Sequence, residues 1–131
     1  MASGKQVVRF GPFKEYIANG VRLGDAVYLS GQVSVDADGN VVGAGDLAAQ
    51  VRQAYANVAE VLEHFGATMD DVVDEMWLVT DMQNTMGHIE DLFGIRAEAY
   101  GQTPEVTQTL VQVAGLVMPE LLIEIKCIAH L

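Results

Sequence analysis

The sequence predicts an α+β sandwich, one mixed β-sheet with two α-helices on one face, in a single domain spanning residues 1–131. Three observations carry this. Runs with the two-residue period of strands fill the beginning and the end of the chain, and two stretches between them switch to helical spacing. A single strand separates the two helices, which implies crossover connections, and the two strands that close the chain imply antiparallel neighbours. Two helices cannot cover both faces of a sheet, so the second face is either wet or buried by a partner subunit.

The elements follow in order. VRLGDAVYLSGQVS holds two apolar runs around Gly24-Asp25, a tight-turn signal, and reads as a hairpin. DADGN (36–40) marks a second turn. From Asp46, a plausible N-cap, Leu47, Val51, Ala54, Val58, Val61, Leu62 and Phe65 fall on one helical stripe, and Gly66 supplies the stop. DDVVDEMWLVTD (70–81) returns to strand character. A second helix is expected from about Thr85 to Tyr100, with Met86, Ile89, Leu92 or Phe93, and Tyr100 inward and Gly101 at its end. Two strands, VTQTLVQVAGL and ELLIEIKCIA, finish the chain.

Composition narrows the function. Half of the 131 residues are hydrophobic and 19% are charged, as in a globular domain rather than a disordered chain. No apolar run approaches the roughly 18 residues needed to span a bilayer, and the start MASGKQVVRF lacks the apolar region of a signal peptide, so a cytoplasmic protein without a membrane partner is expected. The net charge is −11 and the seven basic residues are scattered, which argues against a nucleic-acid partner, because such binding draws on clustered cations. Cys127, the only cysteine, alternates with Ile123, Ile125 and Ala129 and reads as a small buried hydrophobe. His64, His88 and His130 are far apart, no Cys-x-x-Cys spacing exists, and no metal site is expected.

Two carboxylates stand out, each inside an apolar strand. Glu124 shares a face with Leu122, Lys126 and Ile128; Glu75 shares one with Val73, Trp77 and Val79. Burial of an unpaired carboxylate is costly and raises its pKa toward the range useful for acid–base chemistry. The alternatives are structural: a solvated Glu124–Lys126 pair, and Glu75 as an edge-strand charge that discourages aggregation. In EVTQTLVQVAGL, Thr107, Thr109, Val111 and Val113 form one face, easy to bury, and Val106, Gln108, Leu110 and Gln112 the other.

The segments VYLSGQVSVDADGNVVG, DLAAQVRQAYANVAEVLEHFGATMDDVV, LVTDM and LVQVAGL…LLIEIKCIA, in this order over nearly the whole chain, resemble the Rid family of reactive-intermediate deaminases. The resemblance implies a chorismate-mutase-like fold and a homotrimer with ligand clefts between subunits. It also implies hydrolysis of 2-enamines and 2-imines to 2-keto acids and ammonia without a cofactor. Matched by position, the family's Ser-Gly-Gln falls on Ser30, Gly31 and Gln32, and its water-orienting glutamate on Glu124. Its tyrosine falls on Ile17, with Tyr16 beside it, and its asparagine on about Phe93.

The family's carboxylate-binding arginine falls on Gln108. A neutral amide replaces a charged fork there, and the weaker bond, about 1 against roughly 1.5–3 kcal/mol, disfavours an anionic substrate. The leading reading is a small-molecule hydrolase with Glu124 as the catalytic carboxylate the resemblance implies, Glu75, from its apolar strand, as a second carboxylate that could supply a general acid, and Gln108, Thr109, Ser30 and Gly31 as substrate contacts. The alternative is a non-catalytic ligand-binding member of the same fold. Endoribonuclease activity, attached to the family's name, sits poorly with the charge.

Overall fold

The computed structural model describes residues 4–131; the first three residues of MASGKQVVRF lie outside them. The chain order is β1 (Gln6–Val8), β2 (Gly20–Leu23), β3 (Ala26–Leu29), β4 (Gln32–Val33), α1 (Leu47–Glu63), β5 (Val72–Val79), α2 (Met82–Gly87), α3 (Ile89–Tyr100), β6 (Thr107–Gln112) and β7 (Ile123–His130), with a 3-10 turn at Met69–Asp71 before β5. Among the described residues the strands form one sheet in the order β1-β2-β3-β7-β5-β6, with β4 also paired to β7. All pairings are antiparallel except β5 with β6, which is parallel, as a helical crossover requires. No helix among the described residues is long and apolar enough to cross a membrane.

The local signals explain much of this. β2 and β3 form the expected hairpin, with Leu23 opposite Ala26, and Gly24 takes the left-handed φ of 59° that the tight turn demands. At DADGN, the Asp36 carboxylate accepts from the Asp38 and Asn40 amides and closes the turn. Asp46 caps α1 by accepting from the Ala49 amide. The whole predicted stripe from Leu47 to Phe65 is buried, against Val27, Leu29, Trp77, Val79, Ile123, Ile125 and Cys127 of the sheet.

Four expectations need correction. The second helix is two: α2 ends at Gly87, and His88, with φ −123° and ψ 17°, breaks the helical path before α3 restarts. Of the residues expected inward, Leu92 and Tyr100 are buried and Ile89 packs against the core, joined by Ile95, but Met86 is exposed and Phe93 stays 40% exposed. The two closing strands are not neighbours, because β5 lies between β6 and β7. A register irregularity between Val72 and Asp74 puts Val72, not Val73, on the buried side with Glu75 and Trp77. Finally, Thr107 and Thr109 are exposed, and it is the side of Leu110 that packs toward the core.

Candidate functional site

Pairing register fixes which candidates meet. Gln108 lies opposite Glu75, which lies opposite Cys127, so these three point toward the helices. Val111 lies opposite Leu78, and Leu78 opposite Glu124; Thr109 lies opposite Met76, and Met76 opposite Lys126. Glu124 and Thr109 thus belong to the open face. Within one chain, Gln108 and Glu124 do not meet: strand alternation sends them to opposite sides.

On the helix-covered side, Glu75 is 0% exposed and its carboxylate is saturated. Oε1 accepts from the hydroxyls of Tyr55 (2.8 Å) and Tyr100 (2.7 Å), while Oε2 accepts from Arg96 Nε and from Gln108 Nε2 (2.8 Å). Trp77 Nε1 donates to the Tyr55 oxygen, and the Arg96 guanidinium lies 5.6 Å from the ring centres of both Phe93 and Tyr100. Burial, reinforced by the Glu75 charge, pushes both tyrosines far above the usual phenol range. Burial alone would lower the Arg96 pKa, but its bond to Glu75 and the opposite charge raise it. The Cys127 thiol is likewise pushed up, chiefly by burial and then by Glu75.

A buried carboxylate with four donors is energetically satisfied. It has no oxygen left facing a substrate, and in this geometry it holds α1, α3, β5 and β6 together. Arg96 and Tyr55 had no signal of their own in the sequence. The i, i+4 spacing of Arg96 and Tyr100 on α3 was the one clue available.

The open side differs. Glu124 is half-buried, and its carboxyl pKa is raised by desolvation, with Lys126 pulling in the opposite direction. Lys126 Nζ donates to the Leu29 carbonyl at 2.7 Å. The carboxylate lies against Gly31 so closely that a Cβ there would come within 2.5 Å of Glu124 Cδ and 2.9 Å of Cγ, and into its Oε2. Glycine at 31 is thus the condition for Glu124 to sit where it does.

Gly31 is also a wall of a cavity of about 370 Å³, together with Phe10, Gly11, Pro12, Phe13, Ile17, Asn19, Ser30, Gln32, Val33, Val35, Asp36, Ala37, Asn57 and Glu60. Ser30 Oγ donates to the Ala18 carbonyl at 2.6 Å and its amide to the Asn19 carbonyl, which ties the 11–19 loop over the end of β3. Asn57 on α1 donates to the Val33 and Val35 carbonyls and fixes the opposite wall. Of the two candidates for the tyrosine position, Ile17 faces this cavity, whereas Tyr16 is 81% exposed and does not line it. Phe93 stands elsewhere, edge-on to Trp77 at 5.6 Å. The candidates therefore divide into two groups: Ile17, Ser30, Gly31 and Glu124 around the cavity and open face, and Phe93, Gln108 and Glu75 behind the sheet. Among the described residues, no three His, Cys, Asp or Glu side chains are grouped to hold a metal.

The profile of the family described as endoribonuclease L-PSP matches residues 7–131. The chain is similar to a solved member of the YjgF/YER057c/UK114 family from Mycobacterium tuberculosis, at 29% identity, with 97% of this chain and 99% of that one covered and a TM-score of 0.78. It is also similar to YyfB from Yersinia pestis, a protein of unknown function of the conserved Rid family, at 33% identity, with 98% and 99% covered and a TM-score of 0.72.

Proposed function

Because the chain belongs to the Rid/YjgF family, whose profile spans residues 7–131, we propose that it is a small-molecule hydrolase that converts an imine or enamine to a carbonyl compound and ammonia. The observation that carries this reading is the Glu124 carboxylate: half-buried on the open face, raised in pKa by desolvation, and packed against Gly31, which itself lines the cavity. A carboxylate so placed can take a proton from water near neutral pH. Water then adds to the C=N carbon, the proton passes through Glu124 to the nitrogen, and the carbinolamine collapses with loss of ammonia. No cofactor enters.

The remaining roles follow from contacts. Ser30 holds the loop that carries Ile17, and Gly31 leaves room for both Glu124 and the ligand. Thr109 presents a hydroxyl on the open face. Gln108 Nε2 donates to Glu75 on the helix-covered side, away from Glu124, so in this reading it supports the Glu75 cluster and does not replace the carboxylate clamp. Glu75 acts in this reading as a positioning group, not as a proton donor. A homotrimer is part of the proposal: the open face carries half-buried Met76, Leu78, Val111, Leu122 and Ile128, an apolar surface that copies of the chain could cover. A net charge of −11 disfavours ribonuclease activity despite the family's description.

The test is ammonia release from a panel of neutral and anionic imines generated in situ. Release from neutral imines, with anionic ones slower, supports the reading. Ligand binding with no ammonia released from any of them would leave a non-catalytic binding protein.

A further inference from the structure

The cavity beside Gly31 has a one-sided chemistry. Most of its side-chain donors are committed to the protein's own carbonyls: Ser30 Oγ to Ala18, one N–H of Gln32 Nε2 to Ser30, and Asn57 Nδ2 to Val33 and Val35. Asn19 Oδ1 accepts from the Phe10 amide, so its Nδ2 and the second N–H of Gln32 Nε2 are the side-chain donors in the wall left to a ligand among the described residues. The acceptors are open. No described side chain bonds the Glu60 carboxylate, Asp36 keeps one oxygen free of its turn, and Ser30 Oγ retains lone pairs. No Lys, Arg or His lines the space. Phe10 and Phe13 supply an aromatic body contact.

A carboxylate ligand would meet two like charges and a ring of lone pairs, with only the neutral amides of Asn19 and Gln32 to receive it. A ligand carrying N–H groups would meet acceptors on every polar wall. We propose that this cavity takes an apolar-bodied amine, or the imine formed from it, and excludes carboxylates. The proposal rests on the hydrolase reading only in identifying this ligand as the substrate, since the selectivity itself comes from the cavity.

The experiment is titration of the labelled full-length protein with benzylamine, benzamide and benzoate, followed by amide chemical shifts. Benzylamine should shift residues around Phe10, Phe13 and Ile17, with benzoate at least about tenfold weaker, since each rim carboxylate contributes a factor of up to about five at low salt. Glu60→Gln, on the exposed face of α1, should weaken benzylamine by about threefold to fivefold and leave benzamide unchanged. Benzoate binding as tightly as benzylamine, or benzylamine shifts confined to another surface, would overturn the proposal. The two readings fail separately. Benzylamine selectivity without ammonia release from any imine removes the hydrolase and keeps the cavity. Ammonia release that benzoate inhibits more strongly than benzylamine keeps the hydrolase and removes the amine selectivity.

Discussion

Glu75 and Glu124 begin as similar residues, each a carboxylate within an apolar strand, and the fold gives them opposite surroundings. Glu75 of β5 turns toward the helices, where two tyrosine hydroxyls, an amide and a guanidinium fill both of its oxygens. Glu124 of the adjacent β7 turns to the open face, where it has a glycine for a neighbour and a raised pKa. Burial by itself therefore does not mark a reactive carboxylate. The more deeply buried of the two is the one with nothing left to offer a substrate, and it is to the partly buried one that the proposed reaction assigns proton transfer.

The sharpest way to break this contrast is Glu75→Ala. It would leave the Arg96 guanidinium, only 12% exposed, without its counter-charge, and two buried hydroxyls without an acceptor. A loss of about 3–5 kcal/mol is expected by urea unfolding, the range for removing one partner of a buried pair. A loss under about 1 kcal/mol would show that the cluster is not structural.

Gly31→Ala addresses the other carboxylate. The new Cβ would displace Glu124, so ammonia release should fall by about a hundredfold, the scale of a 1 Å misplacement, while overpacking costs about 1–3 kcal/mol of stability. Unchanged turnover would mean that the carboxylate moves freely.

The third prediction concerns pH. Glu124 must be ionised to act as a base, so the acid limb of the rate profile should lie above the usual carboxylate range. The linkage has a definite sign. A carboxylate whose folded pKa is raised binds its proton more tightly in the folded state. Its favourable contribution is complete below the unfolded pKa and is lost as pH rises through the folded one. Glu124→Gln should therefore be no less stable than wild type at pH 7, and relatively less stable in acid. Unfolding curves at the two pH values check this.

How much of this was legible in sequence depended on how local each signal was. The Gly24-Asp25 hairpin and the Asp46-capped helix were readable because their determinants lie within a few residues of each other. The sidedness of β6 was not: Thr109 and Val111 look as easily buried as Gln108 and Leu110, and only the register with β5 decides between them. The Glu75 cluster draws Tyr55 from α1, Arg96 and Tyr100 from α3 and Gln108 from β6, so no window of sequence contains it. The break at His88 was not legible either, and of the inward residues expected for one continuous helix it is Met86, before the break, that lies exposed. Glu124 was found through resemblance to a family, since the strand pattern alone left a solvated pair with Lys126 equally open.

The smallest expected effect is that of Gln108→Arg. Glu75 already lies within bonding distance of this side chain, so the new guanidinium would join Arg96 on the same carboxylate instead of forming an unopposed anion clamp. Activity on anionic imines should rise by about threefold or less. A gain of tenfold or more, the worth of one recovered charged bond, would show that position 108 reaches the substrate directly.

The central claim, that Glu124 carries the chemistry and Glu75 the structure, is tested most directly by measuring ammonia release and unfolding free energy on the same samples of wild type and Glu124→Gln. The account predicts a rate reduced by at least about a hundredfold, with stability at pH 7 within about 0.5 kcal/mol of wild type or above it. A variant that retains its rate, or that loses stability on the scale expected for Glu75→Ala, would contradict it.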